Sequence, residues 1–187
     1  FYYWLEKDAG NDLLIEVHDA DGWLRARFDR ADDKLNDALK PRADAGLNRF
    51  VWDLRDKPPV RLDRSLQERA YEPFARESDG PSGVRVVPGT YIVTLTAFGK
   101  TSSHELVIIK DPRLDVSDDD LAAQYSVAKN LTDSVSDLYI GVNRIRMMRK
   151  QLKNLLLLVP SVDEQVDTAM IRLTEIEAQL VDVHRET

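Results

Sequence analysis

A change of period near Pro112 is the strongest constraint this sequence places on its fold. Before it, apolar and polar residues alternate: Leu13, Ile15 and Val17 interleave with Leu14, Glu16 and His18, and Tyr91, Val93, Leu95 and Ala97 share one side of their run. After it, apolar residues recur at steps of three and four: Leu131, Val135, Leu138, Val142 and Ile145, then Met148, Leu152 and Leu155 after a second step of three. A repeat of two puts alternate side chains on opposite faces of a strand, and a repeat near 3.5 lays them along one side of a helix. The sequence therefore predicts an α+β chain. Residues 1–113 form an antiparallel β-sandwich, and residues 114–187 form an antiparallel helical hairpin or partial bundle.

Within the first part, the run from Ala45 to Arg55 is the most informative. Asn48, Phe50, Trp52 and Leu54 fall on one side; Leu47, Arg49, Val51 and Asp53 fall on the other. This predicts one continuous strand ended by Pro58-Pro59, with Trp52 at the centre of the core and Phe50, Tyr91, Val93 and Leu95 around it. Phe1 to Leu5 reads as a first strand. Asp19-Ala20-Asp21-Gly22 reads as the hairpin turn between strands 13–18 and 23–28. Residues 29–44 and 57–87 read as loops, the second too long for a simple hairpin. Pro88-Gly89 opens a strand that Gly99-Lys100 turns back into another over 101–109.

In the second part, Ser117 is placed to cap a helix whose first turn holds Asp118, Asp119 and Asp120, acids at the positive end of the helix dipole. Pro160 ends that helix, and Ser161-Val162-Asp163-Glu164 has the form of a capping box for the next. In that next helix Val166, Ala169, Leu173, Ile176, Leu180 and Val183 keep the stripe, and so short a link makes the two antiparallel. At about 1.5 Å per residue the first helix is roughly 60 Å long and the second roughly 35 Å. The second covers only the half of the first nearest Pro160. Leu121, Tyr125, Ala128 and Leu131 must then rest on the sandwich, on further helices or on a second copy.

Composition removes several classes of function. The net charge is -7 with a pI near 5.0, which opposes general phosphate-backbone binding. The absence of cysteine removes disulfides, thiolate catalysis and cysteine-ligated zinc. The longest apolar run, Leu155 to Val159, is far short of the ~20 residues of a membrane span. The opening at Phe1, directly in a strand-like run, suggests a piece of a longer protein.

No catalytic, cofactor or metal site is expected. His18, His104 and His184 share no ligand spacing. Asp19-x-Asp21-Gly22 lacks the further acids of a calcium loop. No serine sits in a Gly-x-Ser-x-Gly setting. The basic group Arg144, Arg146, Arg149, Lys150 and Lys153 reads as a solvated helix face or as partners for the acids of the next helix. Three aromatics, Trp4, Trp23 and Tyr71, are candidates for facing a ligand such as a sugar ring.

Three pieces carry a family resemblance: Val17-His18-Asp19-Ala20-Asp21-Gly22, Gly46-Leu47-Asn48-Arg49-Phe50-Val51-Trp52-Asp53 and Pro88-Gly89-Thr90-Tyr91-Ile92-Val93. Together they resemble the Ig-like domain of the flagellar hook-capping type. Followed by Asp111-Pro112-Arg113 and acid-capped helices, the arrangement is similar to the C-terminal region of bacterial proteins with a sortilin-like, Asp-box (BNR) repeat β-propeller, often labelled glycosyl hydrolases. The resemblance implies an Ig-like sandwich, an extracytoplasmic home, and a non-catalytic accessory or interaction role beside the propeller, because any hydrolase activity would lie in the propeller. No Asp-box occurs in this chain. Partners so implied are the rest of the parent chain or a second copy, with a carbohydrate-binding module as the alternative; neither nucleic acid nor membrane insertion is expected.

Overall fold

A computed structural model describes residues 1–33, 35, 37–66 and 82–181. Among these residues the fold is α+β, with two antiparallel sheets and two α-helices. It divides into two units, one of Phe1–Pro58 with Ser82–Lys129 and one of Pro59–Pro81 with Asn130–Thr187.

The first unit holds both sheets. Strands β1 (Tyr2–Leu5) and β4 (Gly46–Arg49) form a two-stranded sheet. Strands β2 (Leu13–Asp19), β3 (Leu24–Asp29), β5 (Gly89–Ala97) and β6 (Lys100–Ile108) form a four-stranded sheet in the order β3-β2-β5-β6. The expected turn forms between β2 and β3: Gly22 N–H donates to the Asp19 carbonyl at 3.0 Å, with Gly22 at φ 84°. Alternation dictates which side is dry. Leu13, Ile15 and Val17 are buried, as are Ala26, Phe28, Tyr91 and Val93, while Thr94 and Thr96 pair hydroxyls with Ser103 and Thr101 on the opposite face. Ile15, Val17, Ala26, Phe28, Phe50, Trp52, Val86, Tyr91 and Val93 make one cluster, with the half-buried Leu95 packed against it. The Trp52 and Tyr91 rings meet edge-on at 5.8 Å.

The strand expected over 45–55 is shorter than its alternation suggests. Burial alternates as far as Trp52, but the β1–β4 ladder stops at Arg49. Beyond it the chain turns to other partners. Leu54 takes φ 60°, the Trp52 Nε1–H donates to the Arg55 carbonyl at 2.9 Å, and the backbones of Leu54 and Asp56 bond to Val86 and Val84. Gly83 permits that approach: a Cβ there would lie 1.7 Å from the Asp56 carbonyl oxygen.

Helix α1 spans Asp118–Leu158. Ser117 caps it, its Oγ accepting from the Asp120 N–H at 3.0 Å and donating to the Asp120 carboxylate at 2.6 Å. Its first turns belong to the first unit, where Leu121 and Tyr125 are half-buried. The rest belongs to the second unit, where Leu131 is 64% exposed. Helix α2 spans Asp163–Val181. It does not start from a cap at Ser161. Pro160–Val162 is a 3-10 turn with Pro160 in its first turn, and it runs directly into α2. In the second unit Val142, Ile145 and Val166 are buried, and Arg146 Nε bonds Glu177 Oε1 at 2.8 Å beside an Arg149–Glu177 ion pair. Asn143 exchanges bonds with the backbones of Arg61 and Asp63.

Candidate functional site

Two places in the first unit concentrate polar or aromatic chemistry. The first is a half-buried cluster around Arg25. The tight turn after β2 aims two backbone N–H groups at Asp19 Oδ1, from Asp21 at 3.1 Å and Trp23 at 2.8 Å. The other oxygen takes the Arg25 fork, Nε at 2.9 Å and one terminal nitrogen at 2.5 Å. The remaining terminal nitrogen donates to the Tyr125 hydroxyl at 2.6 Å and to Asp56 at 3.3 Å. Tyr125 in turn donates to Asp56 at 2.5 Å, and Asp56 Oδ1 accepts the Lys57 N–H at 2.7 Å. Asp56 is almost fully buried.

The environment sets these protonation states. Burial raises the Asp19 carboxyl, but the Trp23 N–H and the Arg25 guanidinium outweigh it and hold it below the ordinary carboxylate range. Burial, followed by the bond donated to Asp56, pushes the Tyr125 phenol well up. Burial raises Tyr91 as well, whose hydroxyl donates to the Val87 carbonyl at 2.7 Å. All four carboxylate oxygens of the cluster are engaged by protein donors. The arrangement is a clamp joining the β2–β3 turn, the segment after Trp52 and the first turns of α1. A groove of about 330 Å³ runs beside it, lined by Val84–Pro88, Leu121, Gln124 and Tyr125.

The second place surrounds Trp4. On β1 the register sets Trp4 opposite Leu47 and Tyr2 opposite Arg49. Trp4 is 71% exposed and lines a groove of about 490 Å³ with Glu6, Lys7, Phe98, Lys100 and Ser102. Its six-membered ring lies over Gly46, where a Cβ would sit 3.9 Å from it. The Lys7 ammonium stands 4.9 Å above the Phe98 ring.

Trp4 and Trp23 are both exposed but are not brought together. Trp4 lies beside Leu95 and Ala97, which pair with Ile15 and Leu13 in the first half of β2; Trp23 follows its end at Asp19. Seven strand residues separate those ends by about 20 Å. Tyr71 and His184 lie outside the described residues. His18 is half-buried on β2 and His104 exposed on β6. Among the described residues no group of three or more His, Asp or Glu side chains is placed to hold a metal ion.

No known protein family, curated protein or solved structure matches this chain.

Sequence reasoning did not find the Arg25–Asp56–Tyr125 contacts. They join residues 31 and 100 positions apart, and no short motif carries them. Tyr2 was not among the expected ligand-facing aromatics, although its place two positions from Trp4 on one strand face follows from the period of two.

Proposed function

We propose that this chain is a non-catalytic accessory region, an Ig-like β-sandwich followed by an antiparallel α-helical hairpin, that packs against a larger extracytoplasmic β-propeller protein or mediates its assembly. The observation carrying this reading is an uncovered apolar flank on the helices. Met148, Leu155, Ile176 and Leu180 are 43%, 41%, 47% and 43% exposed. Each directly precedes a residue turned inward: Arg149, Leu156, Glu177 and Val181 are all half-buried or more. A step of one residue turns about 100° around a helix, and in antiparallel helices the same backward step falls on the same flank. Apolar area in water is unfavourable by ~25 cal/mol per Å², so a flank of this kind favours a protein partner. The sequence resemblance supplies the propeller and the extracytoplasmic setting.

Hydrogen exchange tests the reading. Amides near Met148, Leu155 and Ile176 should exchange more slowly in a longer polypeptide carrying the propeller, or in a self-associated form, than in the isolated chain. Equal exchange in all three would sink it. The purified chain is also expected to turn over no chromogenic glycoside, ester or peptide.

A second reading, carbohydrate binding, is favoured by Trp4, whose ring is backed by Gly46 and open to solvent beside a groove. Titration calorimetry with a glycan panel, repeated on Trp4→Ala, separates it from the first.

A further inference from the structure

The outer face of the β1–β4 sheet carries two rings and an uneven charge. Tyr2 and Trp4 are 67% and 71% exposed and stand two residues apart on one strand face, about 7 Å from each other. Arg49 lies opposite Tyr2 and is exposed. Lys7 and Lys100 line the groove next to Trp4, with Glu6 the acid among its lining residues. Lys7 and Lys100 against Glu6 leave the groove lining with one cation in excess, with the Asp12 carboxylate accepting the Phe98 N–H at 2.8 Å, and Arg49 adds a further cation on the strand face of a chain of net charge -7. The whole molecule repels polyanions, and this face is locally suited to them.

From this we infer a binding site for an acidic polysaccharide, a chain of pyranose rings bearing carboxylates. The C–H face of a pyranose is apolar and slightly electropositive, and so packs on the electron-rich face of an indole or phenol. Rings on one strand face offer two such platforms in a row. Gly46 backs the Trp4 platform: it holds φ 98°, a conformation L side chains rarely adopt, and a Cβ there would sit 3.9 Å from the indole, in ordinary contact. Arg49 supplies a planar fork that matches a carboxylate. Lys7, held over the Phe98 ring, and Lys100 supply point charges in the same groove. Ser102 adds a hydroxyl for the sugar's own hydroxyls.

This inference rests on the carbohydrate reading and narrows it to uronic acid chains. The test is calorimetric titration of the whole chain with an oligogalacturonate, an oligomannuronate and a neutral cello-oligosaccharide, each at two salt concentrations. At least one uronate is expected to bind at least about tenfold tighter than the neutral oligomer, a difference of ~1.4 kcal/mol, and to weaken with salt. Trp4→Ala should remove binding with the far-ultraviolet circular dichroism unchanged, and Arg49→Ala should weaken uronate binding and reduce its salt dependence. Equal affinity for the neutral oligomer would overturn the acidic class and leave the carbohydrate reading standing. No binding of any of the three would overturn both. Uronate binding that survives both Trp4→Ala and Tyr2→Ala would place the site elsewhere and overturn this one.

Discussion

Single residues decide whether the segment after β4 can leave its ladder and join the core. Gly83 has no special backbone angle to protect; it is needed for space, with the Asp56 carbonyl where a Cβ would be. Gly83→Ala must push the backbone apart and disturb the Asp56–Val84 bond of 2.7 Å. Overpacking typically costs about 1–3 kcal/mol, and a lower urea midpoint is expected. An unchanged midpoint would mean the segment yields freely. Trp52 is 7% exposed, and its indole N–H is bonded. Trp52→Ala should cost ~3–5 kcal/mol, enough to unfold the first unit or nearly so, read by thermal melting.

The same residues mark the limit of what the sequence shows. Burial at Asn48, Phe50 and Trp52 was legible because it follows the period of two. The end of β4 was not, because Leu54 at φ 60° is a conformation that no local composition announces.

At the scale of elements, the clamp gives the first turns of α1 a specific seat. Tyr125→Phe removes the bond into Asp56 and the contact from Arg25, leaving a buried carboxylate short of one donor. The expected cost is about 1–3 kcal/mol, with slower exchange lost first at residues 118–128. Cost-free substitution would show that the helix is held by packing alone. Helix starts were half legible. Ser117 caps α1 as its position suggested, whereas the Ser161 signal was overridden by Pro160, whose fixed φ suits the first turn of a helix. Helix periodicity was legible in part: Val142, Ile145 and Val166 of the apolar stripe are buried, whereas Leu131, Met148, Leu155, Ile176 and Leu180 are exposed. The partner of Tyr125 was not legible, because side-chain bonds across long sequence separations leave no period behind.

For the whole molecule, pH should narrow stability from both sides. Asp19 is held below its ordinary value in the folded chain. Its contribution is therefore complete above the unfolded carboxyl value of about 4 and lost as pH falls through the folded value. Tyr125, Tyr91 and Tyr3 are raised by burial, Tyr3 to about 12. Their contribution is complete below about pH 10 and lost as pH rises through the folded values. Urea midpoints should be flat in the middle range, fall at both ends, and fall less steeply above about pH 10 in Tyr125→Phe. A variant with the same alkaline slope as the parent would show that this phenol does not report folding.

One helix of 41 residues starts in the first unit and ends in the second. Helix formation propagates cheaply along a chain once nucleated. Residues 118–129, which belong to the first unit, run on in one continuous helix into the second, and folding of the two units is therefore expected to be coupled. When the β unit melts, the first turns of α1 lose the Tyr125 contacts that seat them, and damage to either unit is expected to appear in the other's melting curve. In calorimetry that is thermodynamic cooperativity, one merged transition in place of two, and a glycine pair inserted near Asn130 is the change that would divide it.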